Sequence, residues 1–441
     1  MCAARHAQQP VRQQVAVVGG GWAGCAAAVE LAARGAAVTL YEAARTLGGR
    51  ARVVHLHGKA LDNGQHIMLG AYRETLRMMR QVGIVETSAL LRLPLQMCYP
   101  DGAGIHFVAA RLPAPLHVVA ALMRSRGLSR QDKMALARFS TAARWMGWRL
   151  NLDCSVSELL DRFDQTDRMV QLMWRPLCIA ALNTPPERAS AQVFLHVLRD
   201  SLGARRSASD MLLPRVDLSA LFPTHAAAFV ESRGGKVMLG AAVDRLERDG
   251  ERWRVQGVSY DAVLIATPPA QAAMLIAPHA PTAAIPAFEW ESITTAYLQY
   301  AANVGLERPF LALLDKPDAG HWGQFVFDRG QLNAADAGLF AVVVSASGPA
   351  LDLGNDSLAP QLAAQLAHAL HRPELASPQW TKVISEKRAT FACTPGLERP
   401  SNDVGVDSLA LAGDYTASDY PATLESAVRS GVAAAALVAC R

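Results

Sequence analysis

The sequence predicts an α/β protein in which one domain, built around a parallel sheet, is assembled from three separated segments, and a second, α+β domain is inserted between them. Three observations support this prediction. A glycine-rich turn joins an apolar strand to an alanine-rich helix near residue 20, a buried strand ended by prolines lies at 261–269, and a strand followed by Gly-Asp leads into a final helix at 409–438. The length of 441 residues is sufficient for two or three domains.

The composition is that of a folded, apolar protein. Hydrophobic residues make up 51% and charged residues 19% of the chain, which excludes a disordered protein and a coiled coil. The net charge of +4 is small and the basic residues are mostly scattered, so we expect no nucleic-acid partner. The mean hydropathy of +0.12 is high for an enzyme and indicates an apolar substrate. No apolar run reaches the roughly 18 to 20 residues that a membrane-spanning helix needs.

The cysteines indicate a reducing compartment. Their number is odd and none forms a CxxC pair, which is typical of reduced thiols in a cytosolic protein. They are Cys2, Cys25, Cys98, Cys154, Cys178, Cys393 and Cys440. Residues 1–14 contain no apolar segment, so we predict a tail and not a secretory signal. His55 and His57 have metal-like spacing, but no third ligand accompanies them, and we expect no metal site.

The first predicted element is a buried strand, followed at once by a turn in which Gly19, Gly21 and Gly24 form a GxGxxG pattern. An alanine-rich helix follows, and then a strand at 38–41 that ends at Glu42. In this context the first glycine permits the tight turn, the second lets the backbone approach a pyrophosphate, and the third lets helix and strand pack closely. The helix N-terminus supplies amide hydrogens and a positive dipole. Glu42 is placed to accept hydrogen bonds from a ribose diol. NAD and FAD share all of these features.

A second motif directly follows Glu42. Gly48 and Gly49 indicate another close backbone approach, and Arg50 has the planar guanidinium that pairs with phosphate. A polar loop, Asp-Asn-Gly-Gln-His, comes next at 62–66. This order of GxGxxG, ribose-binding acid and GGR resembles the superfamily of FAD-dependent amine oxidases and phytoene desaturases. The resemblance implies FAD as the cofactor. We expect it to be non-covalent, because no cysteine lies near the closing motif before the last two residues.

The first of two returning segments begins at residue 236. It contains a predicted strand at 236–239 with a continuation at 242–246, and a buried strand that prolines end near Thr267. The resemblance implies that this segment returns to the FAD-binding domain. It also implies that Val243 contacts the adenine of FAD through its backbone.

The second returning segment closes the chain. A predicted strand at 409–412 is followed by Gly413 and Asp414, and a helix at 425–438 begins behind Thr423. The resemblance implies that Asp414 binds the ribitol or pyrophosphate region of FAD. It also implies that the helix N-terminus faces the flavin edge on which negative charge accumulates on reduction.

Together these motifs predict a discontinuous Rossmann-like FAD-binding domain with an inserted α+β substrate domain, made of a mixed sheet and a helical cap. We expect the FAD-binding domain at 12–80, 225–280 and 403–441, and the substrate-binding domain at 81–224 and 281–402. The residues expected to contact FAD are Gly19, Gly21, Trp22, Ala23, Gly24, Glu42, Ala43, Arg45, Gly48, Gly49, Arg50, Asn63, Gly64, Gln65, His66, Val243, Thr267, Gly413, Asp414, Ala422 and Thr423.

An apolar stretch at 112–123 is flanked by four arginines, at positions 111, 124, 126 and 130. Two interpretations stay open for it. It lies in a membrane interface, which would make the protein peripheral on the inner face of the cytoplasmic membrane, or it is a helix packed on the protein's own core. Trp145 and Trp148 follow, and we expect them in the core.

Four segments, at 62–75, 174–187, 208–218 and 412–431, narrow the resemblance. They are similar to the hydroxysqualene dehydroxylases, also called squalene-associated FAD-dependent desaturases, of bacterial hopanoid synthesis. This similarity implies a long apolar isoprenoid substrate, hydroxysqualene, which reacts with reduced FAD to give squalene, water and oxidised FAD. It also implies an electron donor for the flavin, which the sequence does not identify.

Such a reaction needs a proton donor to the leaving hydroxyl, since hydroxide is a poor leaving group. Asp210 is the first candidate, because an acid in an apolar stretch keeps its proton. His66, beside the polar loop, is the second. The structural alternatives are that Asp210 caps a turn and that His66 holds the FAD loop.

Three other functions stay open at this stage. A carotenoid-type or phytoene-type desaturase shares the fold but oxidises its polyene, and the sequence does not display the direction of electron flow. An amine oxidase is a further alternative, which the apolar middle of the chain disfavours. A non-catalytic FAD-binding protein that holds a lipid for a partner enzyme would retain the same flavin motifs.

Overall fold

The computed structural model describes residues 12–100 and 104–439, so that Cys2, Cys440 and most of the predicted N-terminal tail lie outside the described residues. The strands are β1 (Gln14–Val18), β2 (Ala37–Glu42), β3 (Val53–Leu56), β4 (Lys59–Asp62), β5 (Met68–Leu69), β6 (Leu90–Leu93), β7 (Gln96–Cys98), β8 (His106–Val108), β9 (Met211–Pro214), β10 (Lys236–Leu239), β11 (Glu247–Asp249), β12 (Arg252–Val255), β13 (Val258–Tyr260), β14 (Ala262–Ile265), β15 (Trp290–Gln299), β16 (Phe310–Ala312), β17 (Phe325–Asp328), β18 (Leu339–Ser345), β19 (Trp380–Phe391) and β20 (Leu409–Leu411). The α-helices are α1 (Trp22–Ala33), α2 (Arg73–Gln81), α3 (Glu86–Ala89), α4 (Leu116–Arg124), α5 (Arg130–Trp145), α6 (Val156–Arg162), α7 (Asp167–Met169), α8 (Arg175–Leu182), α9 (Ala191–Leu198), α10 (Leu218–Leu221), α11 (Pro223–Ser232), α12 (Pro269–Ile276), α13 (Gly348–Leu351), α14 (Asn355–Ala369) and α15 (Leu424–Ala439).

A five-stranded parallel sheet of order β10-β2-β1-β14-β20 forms the first layer. The strand β1 pairs in parallel with both β2 and β14, with Val15 opposite Val38 and Ala262. The three central strands are almost entirely buried, as expected for a parallel sheet with helices on its faces. The sheet joins strands from three distant parts of the chain. The predicted α/β fold with a discontinuous Rossmann-like domain is therefore confirmed.

Glycines let the helices beside this sheet pack closely. A Cβ on Gly24 of α1 would lie 1.8 Å from the carbonyl oxygen of Gly19, and a Cβ on Gly431 of α15 would lie 2.1 Å from the carbonyl oxygen of Ala23. Only glycine avoids these clashes with backbone atoms. The start of α1 is thereby fixed against both the first turn and the C-terminal helix.

The inserted domain is built on a second five-stranded sheet, of order β16-β17-β18-β15-β19. All of its neighbouring strands are antiparallel, so the prediction of a mixed sheet is wrong in this detail. The strands β16, β17 and β18 follow one another without a crossover helix, which antiparallel pairing allows. The helix α14 packs on this sheet. Buried side chains of α5, α6, α8 and α9 cluster in the predicted helical cap.

The core around the parallel sheet also contains residues that the predicted division assigns to the other domain. Ile84, Leu90 and Leu212 are buried in the same cluster as α1 and β2. The positions of the domain boundaries stay a prediction.

The predicted continuation of β10 is wrong, because residues 242–246 form no strand. The amides of Gly240 and Ala241 donate hydrogen bonds of 2.9 and 2.8 Å to the carbonyls of Ala44 and Glu42. The chain then leaves the edge of the sheet.

The expectation that Trp145 belongs to the core is also wrong, because its side chain is 88% exposed at the end of α5. Trp148 is half-buried. None of the described helices is long and apolar enough to cross a membrane. The five cysteines within the described residues are free and buried. Burial raises the pKa of the Cys25 and Cys178 thiols, which makes them unreactive.

Candidate active site

The first glycine turn follows the end of β1. Gly19 has a φ of +111°, and a Cβ there would lie 2.5 Å from the carbonyl oxygen of Ala266. A Cβ on Gly21 would meet only the Cα of Gly49, at 4.0 Å. The space beside Gly21 at the start of α1 is therefore open, as the approach of a pyrophosphate requires.

Glu42 is held in place by two backbone amides. Its carboxylate accepts a hydrogen bond of 2.6 Å from the amide of Gly20 and one of 2.7 Å from the amide of Ala44. These bonds fix the carboxylate at the end of β2, beside the glycine turn. Its remaining lone pairs are available to a ribose diol.

The second motif runs alongside the first. The amide of Gly48 donates to the carbonyl of Gly20 at 2.9 Å, and Gly48 forms a parallel bridge with Gly21. Ala43 and Arg45 precede this segment and are exposed. The structure thus brings the two predicted glycine motifs together.

Trp22 and Ala23, which are predicted to contact FAD, can do so only through their backbone. The indole of Trp22 donates to the carbonyl of Ala51 at 3.1 Å and packs against Phe222. Trp22 and Ala23 are both buried. Their side chains belong to the protein core, and only their amides remain for a ligand.

Thr267 follows β14 and lies against the Gly19 turn. Its carbonyl accepts a hydrogen bond from the Tyr415 hydroxyl, at 3.1 Å. Its own hydroxyl is buried and has no hydrogen-bond partner among the described residues. A buried hydroxyl normally finds a partner, and a ligand in the adjacent space would supply one. Val243 is also buried, four residues beyond the end of β10.

Arg50 and Asp414 are brought into direct contact. One guanidinium nitrogen of Arg50 donates to the Asp414 carboxylate at 2.5 Å, and the other donates to the carbonyl of Ala389 at 2.8 Å. The amide of Gly413 donates to the hydroxyl of Ser430 on α15, at 2.9 Å. The GGR motif and the closing motif therefore form one unit.

The start of α15 is capped as the sequence predicts. The hydroxyl of Thr423 accepts a hydrogen bond of 3.2 Å from the amide of Ser426. Ala422 is half-buried against the core. Glu425 accepts hydrogen bonds from the amide and hydroxyl of Thr75, and this links α15 to α2.

A cluster of four aromatic residues lies beside Arg50, although the sequence did not locate it. The ring of Phe288 lies 5.6 to 6.2 Å from those of Trp290, Phe391 and Tyr415. The Arg50 guanidinium lies 5.9 Å from the Trp290 ring centroid. Three segments far apart in the chain supply these rings, so no local pattern could reveal the cluster.

The polar loop at 62–66 connects both domains. Asn63 accepts from the amide of Arg52 at 3.2 Å and donates to the carbonyl of Arg50. The amide of Gln65 donates to the hydroxyl of Thr295 on β15, at 3.3 Å. Gly64 lies between His66 and Thr295.

A buried charge cluster that no sequence pattern revealed supports this loop. Arg329 donates to the side chain of Gln65 at 3.0 Å and to the carboxylate of Asp336 at 3.1 Å, and lies 3.7 Å from the carboxylate of Asp62. Burial, opposed by Arg329, raises the pKa of Asp62 to about 7. Leu218 donates its amide to Asp62 at 2.7 Å. Arg329 and Asp336 are distant in sequence from the predicted polar loop, and nothing in their local context marks them as its partners.

Asp210 does not lie in the apolar environment that suggested it as a proton donor. Its buried carboxylate accepts hydrogen bonds from Arg92 at 3.0 Å and from Arg206 at 3.4 Å. Both contacts are ion pairs. The expected apolar environment of Asp210 is therefore wrong, while its role as proton donor stays a prediction.

His66 lies in the loop, and its Nδ1 is 2.7 Å from the carbonyl oxygen of Gly64. Since a carbonyl only accepts, Nδ1 carries the proton in this contact. Burial lowers the pKa of His66, so that the ring is neutral near pH 7 and Nε2 is bare. In this state the imidazole accepts a proton at Nε2 and does not donate one from it.

Comparison with known proteins identifies the family. Residues 22–439 match the family model of flavin-containing amine oxidoreductases. The chain belongs to this family. It is 30% identical to the hydroxysqualene dehydroxylase of Rhodopseudomonas palustris, over 96% of this chain and 98% of that protein. It is 22% identical to the zeta-carotene desaturase of Arabidopsis thaliana, over 95% of this chain and 84% of that protein.

Solved structures agree on the fold. The cyclohexylamine oxidase of Brevibacterium oxydans superposes with a TM-score of 0.68 at 17% identity, covering 97% of this chain and 99% of that one. The predicted fold class and the prediction of FAD are confirmed: this protein is an FAD-dependent oxidoreductase. The open space at Gly21, the anchored carboxylate of Glu42 and the unpartnered hydroxyl of Thr267 fit that cofactor.

Proposed function

We propose that this flavoprotein is a hydroxysqualene dehydroxylase, which reduces hydroxysqualene to squalene with loss of water in hopanoid biosynthesis. The observation that supports this best is the near full-length similarity, at 25 to 30% identity, to three proteins of that name. The carotene desaturases are less similar, at 22 to 24% identity. A desaturase that oxidises a polyene is therefore the second candidate.

We propose that FAD is bound non-covalently by the predicted residues of the three converging motifs. The amides at the start of α1 and the open space at Gly21 would hold the pyrophosphate, and Glu42 the adenosine ribose. The Arg50–Asp414 pair and the Thr423-capped start of α15 would lie near the flavin end. When bound and reduced, FAD supplies the hydride that such a reaction needs.

The chain's own contribution is to orient the substrate and exclude water. The aromatic residues Phe288, Trp290 and Phe391 offer an apolar surface beside Arg50. An allylic alcohol that loses water leaves a delocalised cation, and a dry apolar site protects that cation from capture by water. The Arg329 cluster holds Gln65, and with it the loop that carries His66.

We further propose that the protein is peripheral to the cytoplasmic membrane and contacts it through α4. Apart from Arg124 at its end, the exposed side chains of α4 are apolar: Leu116, Val119 and Met123 are 50 to 71% exposed. They recur at spacings of three and four residues, so they share one helix face. An isoprenoid alcohol partitions into lipid, and a membrane-facing helix would place the protein where this substrate is found.

The test is anaerobic. The purified holoprotein is reduced, hydroxysqualene is added, and the visible flavin band is followed while the lipid products are analysed. We expect the oxidised band to return with squalene as the product. If hydroxysqualene leaves the reduced flavin unchanged while a polyene reduces the oxidised flavin, the desaturase is the correct assignment. A flavin that stays reduced with every lipid would favour a non-catalytic carrier.

A further inference from the structure

The net positive charge of the protein is concentrated in one segment. Residues 104–152 contain seven arginines and Lys133 against the single carboxylate of Asp132, a net charge of +7, whereas the complete chain carries +4. The rest of the chain is therefore net acidic. Of these seven arginines, only Arg138 forms an ion pair within the described residues, at 3.9 Å to Asp164.

The same segment is the most apolar part of the exposed surface. Half of the large hydrophobic side chains that are exposed within the described residues belong to it, and they are Leu112, Leu116, Val119, Met123, Met134, Trp145 and Leu152. Met134 and Trp145 are eleven residues apart on α5, which places them on one face of that helix. Apolar side chains among unpaired arginines are the composition of a surface that binds anionic membranes.

Apart from His117 and Arg124, the α4 helix is apolar on both sides. Its inner face buries Ala121, Leu122 and His117, and the His117 ring lies 3.2 Å from the hydroxyl of Ser209. Its outer face carries Leu116 and Val119. Exposing the apolar outer face of such a helix to water is unfavourable. Contact of this face with a lipid phase explains its apolar side chains better than packing within this chain does.

A cavity of about 580 Å³ opens beside the start of α4. It is lined by Arg73, Pro113, Ala114, Ala204, Arg205 and Arg206, with no carboxylate among them. Arg73 and Arg205 are exposed and form no ion pair with any described residue. Arg206 shares Asp210 with Arg92. Three guanidiniums with a single shared counter-charge favour a phosphate ligand.

We infer that this cavity binds the phosphate of an anionic phospholipid, and that the surface of α4 and α5 thereby selects anionic membranes. Pro113 and Ala114 in the cavity wall lie between the exposed side chains of Leu112 and Leu116. A phosphate held there would lie next to these apolar side chains, just as the headgroup phosphate of a lipid lies next to its acyl chains. The inference rests on the proposed membrane contact but not on the proposed reaction.

The experiment measures binding of the holoprotein to vesicles of phosphatidylcholine with and without phosphatidylglycerol. We expect tighter binding to the anionic vesicles, weakened by salt. Arg73→Gln combined with Arg205→Gln should weaken binding to anionic vesicles by about 25-fold, the loss expected when two arginines leave a membrane surface. Binding to pure phosphatidylcholine should not change. The matched control, Arg233→Gln combined with Lys236→Gln, removes one charge just after α11 and one from β10 and should retain the preference.

Equal binding of the wild type to both vesicle types, or an equal loss in the two double variants, would overturn the inference. Thermal stabilisation by inorganic phosphate without any lipid preference would also overturn it and would assign the cavity to a soluble phosphate ligand. Flavin content and turnover in neutral detergent are measured in parallel. An inactive holoprotein with an arginine-dependent preference for anionic vesicles contradicts only the proposed reaction, and an active one without that preference contradicts only this inference.

Discussion

Arg50 and Asp414, 364 positions apart in the chain, are joined by a hydrogen bond of 2.5 Å. The contact connects the GGR motif of the first segment with the closing motif of the last. Asp414 is almost fully buried, with 8% of its surface exposed, and Arg50 is its ion-pair partner. Arg50 and Asp414, which are both predicted to contact the cofactor, therefore also neutralise each other's charge.

Replacing Arg50 by leucine should destabilise the protein by about 2 kcal/mol, because it leaves the buried carboxylate of Asp414 unpaired. FAD retention should fall as well. In the double variant with Asp414→Asn, part of the stability should return, which a double-mutant cycle of thermal unfolding measures. Arg254→Leu, which breaks an exposed pair with Asp249, is the control and should change stability by less than about 1 kcal/mol. Additive effects of the two substitutions would contradict the coupling.

Gly21→Val should prevent FAD binding. The valine side chain would fill the open space beside the start of α1, where we propose that the pyrophosphate lies. We expect affinity for FAD to fall on the order of a hundredfold, or about 3 kcal/mol, in a reconstitution titration followed by flavin fluorescence. Gly348→Val is the matched control, since a Cβ there also meets no neighbour within 4 Å. Equal FAD affinity in the two variants would contradict the placement of the cofactor.

The parts of the site that the sequence predicted are those with local signals. The GxGxxG turn, Glu42 and the capping Thr423 each depend on a few consecutive residues and on an adjacent strand or helix. That these separate motifs meet at one site was expected from the resemblance to a known family. The contact between Arg50 and Asp414 did not follow, because pairing across the chain is set by the fold and leaves no local trace.

Other features could not be predicted because they arise only when distant segments meet. Arg329 contacts Asp62 and Gln65 of the predicted polar loop from a distant segment, and no pattern around Arg329 marks it as their partner. The basic residues are not evenly distributed along the chain, because the segment 104–152, which contains α4 and α5, alone carries a net charge of +7. Trp145 looked like a core residue because large aromatics usually are buried.

Asp62 should make stability depend on pH in the neutral range. Its pKa is raised from 3.8 to about 7 in the folded protein, so between about pH 4 and 7 the folded state holds a proton that the unfolded state has lost. The stabilisation of the folded state by this proton on Asp62 is complete below pH 4 and disappears as the pH rises through 7. Asp62→Asn keeps a neutral group at every pH. The free energy of unfolding of the wild type, minus that of this variant, should fall by on the order of 2–4 kcal/mol between about pH 5 and pH 8.

Denaturant unfolding at several pH values measures this difference. Asp249→Asn, at an exposed position, is the control and should show no such trend. If the difference in the free energy of unfolding between the wild type and Asp62→Asn does not change with pH, then Arg329 keeps the Asp62 carboxylate ionised throughout.

Leu116→Asp combined with Val119→Asp should release the protein from vesicles. Both side chains are at least half exposed, so the change should leave folding and FAD content intact. Two charged groups would oppose insertion of the α4 face into the membrane interface. Met274→Asp combined with Leu437→Asp changes two exposed apolar residues on other helices and should not alter sedimentation with vesicles. Full retention of the α4 variant on vesicles would leave α4 without a membrane role.

Asp210→Asn distinguishes a structural carboxylate from a proton donor. In the structure this group forms ion pairs with Arg92 and Arg206, so the substitution should lower the melting temperature slightly and leave kcat within about threefold. Loss of a general acid would instead lower kcat by about 10² to 10⁴ with folding unchanged. Single-turnover oxidation of the reduced flavin by hydroxysqualene measures this rate. A hundredfold loss in a fully folded, flavin-loaded variant would restore Asp210 as the donor, and it would require that Arg92 and Arg206 release it when substrate binds.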